Sequence, residues 1–114
     1  MMKTVVIVTT QFEGRHCWPD CEIPAVDFLR MPHRHMFHIR AEINVNHLDR
    51  NVEFIVAKHI INRWLSEHWP NGELQSTSCE MMANDLLKSG LFNFLSVEVM
   101  EDGENGARVY KDGN

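Results

Sequence analysis

Apolar residues along the chain switch between two spacings, and the switches divide it into elements. Residues 3–13 are rich in Val, Ile and Thr and predict a first strand that ends near Gly14. Cys21 to Pro32 carries two prolines without periodicity, a loop with a short irregular turn around Val26-Asp27-Phe28-Leu29. Alternation resumes from His33 to Val45, a second strand, and Asn46 to Asn51 supplies turn residues. From about Val56 to Trp69 the apolar positions Ala57, Ile60, Ile61, Trp64, Leu65 and His68 recur at helical spacing, and Pro70-Asn71-Gly72 stops the helix. Thr77-Ser78-Cys79-Glu80 has the form of a capping box, opening a second helix through Met82, Ala83, Leu86 and Leu87 to Gly90. Phe92 to Met100 reads as a third strand, residues 101–106 as a turn, and Ala107 to Lys111 as the last strand. The predicted order is ββααββ: one α+β domain over residues 1–114, with a four-stranded antiparallel sheet and two helices on one face.

Composition narrows the function classes. With 114 residues, 44% hydrophobic and 24% charged, the chain is sized and balanced as an ordinary globular domain. Its net charge of −5 and lack of a basic run argue against a nucleic-acid partner, which needs cations to displace counterions from phosphates. No apolar run approaches the roughly 20 residues that cross a bilayer, and Lys3 to Thr10 is too short and β-branched for a signal peptide. Three cysteines, an odd number, fit free thiols in a reducing compartment. The expectation is a cytoplasmic protein with no membrane contact.

The candidate chemistry lies in His33-Arg34-His35-Met36-Phe37-His38. On a strand His33 and His35 project side by side on one face and His38 on the other, so the pair can grip one metal ion. A catalytic zinc takes three protein ligands and leaves a fourth position open, so a third ligand has to come from elsewhere. The segment Arg15-His16-Cys17-Trp18-Pro19-Asp20-Cys21 mixes turn formers with reactive side chains and is the second place where chemistry is expected.

In this order the motifs resemble those of the 6-pyruvoyl-tetrahydropterin synthase and 6-carboxy-tetrahydropterin synthase family. Phe12-Glu13-Gly14-Arg15-His16 stands for the family's Phe-x-Ala-Ala-His, and His33-Arg34-His35-Met36-Phe37 for its His-Gly-His segment. Glu53-Phe54 is similar to its Asp-Phe, Leu65-Ser66-Glu67-His68 to its Leu-Asp-His, and Thr77-Ser78-Cys79-Glu80 to its Pro-Thr-Ser-Glu. Glu101-Asp102, followed by Gly106-Ala107-Arg108-Val109-Tyr110, is similar to its Glu-Thr.

The resemblance implies a tunnelling fold that assembles as an oligomeric barrel, a homo-oligomer of trimers or stacked trimers. It implies zinc on His16, His33 and His35 and a pterin ring anchored by Glu101. The implied substrate is 7,8-dihydroneopterin triphosphate or a related pterin, and the implied route one to a 7-deazaguanine of the queuosine type. Proton movement would fall to a cysteine, for which Cys21 is the candidate, and to His68 oriented by Glu67. Two departures stand out: Asp27, Phe28 and Leu29 occupy the place of the family's cysteine, leaving Cys21 or Cys17 to replace it, and Arg34 replaces a glycine between the histidines. Hence a second expectation: a pterin- or purine-binding protein that has lost the cysteine relay. A third is a small interaction protein with incidental histidines. His38 and His47 are read as surface residues, Glu80 as a cap and Cys79 as a bystander of the helix's first turn.

Overall fold

The computed structural model describes residues 3–112. Five strands, β1 (Val5–His16), β2 (His33–Asn44), β3 (Glu73–Gln75), β4 (Phe94–Glu101) and β5 (Asn105–Tyr110), form one sheet in the order β3-β1-β2-β4-β5. Helices α1 (Phe54–His68) and α2 (Cys79–Leu87) cover one face, and 3₁₀ segments run over Pro24–Arg30 and Pro70–Gly72. The α+β class stands, but the expected four-stranded antiparallel ββααββ tunnelling-fold sheet is corrected. The sheet has a fifth strand and is mixed, because β3 pairs in parallel with β1 at Arg15 and His16.

Alternation sets which side chains meet the helices. On β2 the buried residues are Phe37, Ile39, Ala41 and Ile43; Val8 on β1 and Val97 and Val99 on β4 share their face. Ala57, Ile61 and Leu65 of α1 and Met82, Ala83 and Leu86 of α2 close over them into a single core. The Thr10 hydroxyl, donating to Asn62 Oδ1 at 2.6 Å, ties α1 to β1.

Helix starts differ slightly from expectation. Glu53 caps α1 by accepting from the Val56 amide at 3.0 Å, so the helix begins two residues before Val56. Ser78, not Thr77, caps α2 by accepting from the Met81 amide, while the Thr77 hydroxyl donates to the Leu74 carbonyl.

β1 does not stop at Gly14 but runs on to His16. Gly14 is demanded by crowding: a Cβ there would stand 2.8 Å from Leu74 Cδ1 and 3.2 Å from the Gly72 carbonyl oxygen. Gly72, with φ +71, is equally constrained, since its Cβ would meet the Glu13 carbonyl oxygen at 2.5 Å. Two glycines thus let the chain after α1 lie directly on β1 and start β3. Gly14→Ala should lower unfolding stability by about 1–3 kcal/mol through this overpacking; urea denaturation in the presence of a chelator reads it, and unchanged stability would show that β3 is not held by this close approach.

Candidate metal centre

The register of β1, β2 and β4 builds the site. His16 pairs with His33 across β1 and β2, His35 lies two residues further along β2, and Glu101 pairs with Phe37 on the other side. All four side chains stand on the helix-covered face, at the end of the sheet where the core stops. Ligand atoms of His16, His33 and His35 all lie within 4.8 Å of one another. Phe37, fully buried, floors the cluster with its ring centroid 5.3 Å from that of His16 and 5.7 Å from that of His35.

Each imidazole is oriented by its Nδ1. His16 Nδ1 lies 2.8 Å from the Thr77 carbonyl oxygen and His33 Nδ1 2.8 Å from that of Met31. His35 Nδ1 lies 2.8 Å from Asp102 Oδ2. Carbonyl and carboxylate oxygens only accept, so each Nδ1 carries the proton and donates. In the neutral ring, the form in which imidazole binds a metal, Nε2 is then left with a bare lone pair. His35 Nε2 is buried and finds no hydrogen-bond partner among the described residues. Such an orphan is costly unless something outside the protein completes it. The donor set therefore fits a divalent metal.

Asp102 begins the turn after β4 in a left-handed conformation, φ 54. It fastens itself to β2 through both backbone and side chain: its amide donates to the Met36 carbonyl at 2.8 Å, and its Oδ1 accepts from the Met36 amide at 3.0 Å. The ring N–H of His35 and then the Met36 amide hold its carboxyl below the usual carboxylate range. The carboxylate of Glu101 faces the cluster, with Oε2 3.0 Å from His16 Nε2 and Oε1 3.6 Å from His35 Nε2.

A cavity of about 440 Å³ opens beside the cluster, lined by His16, His33, Glu101 and Cys79 with apolar walls that include Trp18, Leu29 and Met81. Burial, then the negative charges of Glu101 and Glu80, push the Cys79 thiol up to about 12, so it stays protonated at neutral pH.

The other residues singled out from the sequence fall elsewhere. Cys21 is buried under the Pro24–Arg30 segment, its thiol directed at the carbonyls of Val26 and Ile23 at 3.7 and 3.9 Å; it does not line the cavity. Cys17 does line it. Arg34 points to the opposite face and pairs with Glu13. His68 stacks on Trp64 at 4.3 Å, and its Nε2 lies 3.1 Å from Asp85 Oδ2 of α2; Glu67 is exposed and is not its partner. Neither His68 nor Asp85 lines the cavity. Asp102, Asp85 and the Thr77 and Met31 carbonyls were not anticipated; apart from the near-neighbour Met31, each reaches its histidine from a distant part of the chain.

Asp102→Asn removes the carboxylate that orients His35, and outer partners of metal-bound histidines are worth ~10–100-fold in affinity. Chelator competition should show a loss of that size, and an unchanged affinity would mean that His35 is not a ligand.

Among family models and curated proteins, nothing matches the chain. A crystal structure of an uncharacterized protein from Wolinella succinogenes is similar in fold, with a TM-score of 0.69 over 98% of this chain and 100% of its own. At 14% identity this is a likeness of architecture alone.

Proposed function

We propose that the chain is a zinc-dependent lyase of the pterin-synthase type, acting on 7,8-dihydroneopterin triphosphate or a related pterin. The observation that carries this reading is the convergence of three Nε2 lone pairs, each aimed by an acceptor on its Nδ1, at the wall of a cavity of small-molecule size. His16, His33 and His35 would hold the metal. A divalent ion there supplies Lewis acidity, polarising vicinal hydroxyl and carbonyl oxygens of a substrate and acidifying the neighbouring C–H.

The protein's own groups do the rest. Trp18, Leu29 and Met81 offer apolar surface to a flat ring, and Glu101 offers a carboxylate to its guanidine-like edge through paired charge-assisted hydrogen bonds. The imidazole of His68, held by Asp85, is the proposed proton carrier. It does not line the cavity of its own chain, so in this proposal it serves a site where copies assemble, and a homo-oligomer, trimer or hexamer, belongs to the proposal. Exposed Phe54, Ile55 and Val56 at the start of α1 and the largely unpaired outer edge of β1 favour such an assembly. The three cysteines are free, which agrees with a reducing cytoplasm. Among the described residues no helix is long and apolar enough to cross a membrane.

A second reading keeps the metal and the ligand but not the reaction: a pterin- or purine-binding protein without a thiol relay. The burial of Cys21 beneath the Pro24–Arg30 segment favours it. Metal analysis and turnover of dihydroneopterin triphosphate separate the two. The expected result is roughly one zinc per chain, lost together with turnover in His33→Ala, and turnover retained in Cys21→Ser. Zinc without turnover would establish the binding protein, and a folded wild type that takes up no metal would sink both.

A further inference from the structure

The carboxylate of Glu101 faces the metal-binding side of two imidazoles. In the neutral rings His16 gives its only ring proton to the Thr77 carbonyl and His35 gives its own to Asp102, so both Nε2 atoms present lone pairs. Facing those lone pairs, at 3.0 and 3.6 Å, are the two oxygens of one carboxylate, which carry lone pairs and negative charge. Acceptor against acceptor at these distances is repulsive, and the cavity wall is half-buried, which strengthens the repulsion. A cation held between the groups reverses the sign. A single divalent ion satisfies all three nitrogens and the carboxylate together.

We infer that Glu101 is the fourth protein ligand of this centre in the absence of substrate, making it a three-histidine, one-carboxylate site. The inference rests on the metal reading above and deepens it. Glu101 fills the position that a catalytic zinc otherwise leaves to water, and a substrate oxygen that needs that position has to displace it. The displaced carboxylate is then free for the N–H edge of the ring, so one residue guards the metal when the cavity is empty and holds the ligand when it is full. Its side chain is about one-third exposed, which leaves it room to swing.

Cobalt titration of the chelator-stripped protein tests this without any turnover. Wild type, Glu101→Gln, Glu101→Ala and His33→Ala are compared by visible d–d absorption and by chelator competition, with circular dichroism confirming the fold of each. Expected are a band shift in both Glu101 variants and an affinity loss of at least the ~10–100-fold that even outer partners contribute. A wild-type spectrum and affinity in folded Glu101→Gln and Glu101→Ala would overturn the assignment while leaving the histidine centre intact. Failure of wild type to bind cobalt, or binding undiminished in His33→Ala, would instead overturn the centre itself.

Discussion

Three imidazoles whose Nδ1 protons are already committed to acceptors turn their Nε2 atoms toward one another, and this constraint governs the end of the sheet where they meet. The Thr77 carbonyl, the Met31 carbonyl and the Asp102 carboxylate each fix a ring and its tautomer at 2.8 Å. Those three acceptors come from the segment after β3, from the loop before β2 and from the turn after β4. Each of these stretches thus has a reason for its path: to deliver one oxygen to one ring. The three acceptors leave the Nε2 side of the cluster turned inward, an arrangement that a cation could complete.

The short strand β3 shows how closely the architecture and the cluster depend on each other. It is three residues long and pairs with β1 only at Arg15 and His16. Without it the chain after α1 would have no fixed course, the Thr77 carbonyl would not reach His16, and α2 would not present Cys79 to the cavity. Its place depends on Gly14 and Gly72, where the two segments pass too near for a side chain. The Arg15 guanidinium, bound to the Glu73 carboxylate and to the Asn71 carbonyl, fastens the same crossing from the exposed side.

What the sequence disclosed follows from the range of each interaction. The His33 and His35 pair was legible because a period of two is a local property, and the same alternation marked Phe37, Ile39, Ala41 and Ile43 as core. Both helices were legible from their apolar stripes, within two or three residues at each end. His16 lay in a stretch marked locally only as reactive, and its place beside His33 and His35 came through the family resemblance. β3 was hidden because Glu73-Leu74-Gln75 carries no β-branched residue and owes its strand character to a partner some 58 positions away. Asp102 and Asp85 were hidden for the same reason: the one is 67 residues from His35 and the other 17 from His68. Glu67 as partner of His68 fails on a local rule, because neighbours on a helix point about 100° apart and do not face each other.

The odd-numbered positions of β2 join core and cluster in one line. Ile43, Ala41, Ile39 and Phe37 are buried by the helices, and the same row continues as His35 and His33 where the helices no longer cover it. A one-residue slip of β2 against β1 would turn that entire row to the other face, exposing four core residues and dispersing the histidines at once. The buried aliphatic row therefore specifies the register that the cluster needs, far more strongly than the histidines specify it themselves. The floor that Phe37 supplies completes the connection, since its fully buried ring packs edge-on against His16 and His35 and joins the cluster directly to the core.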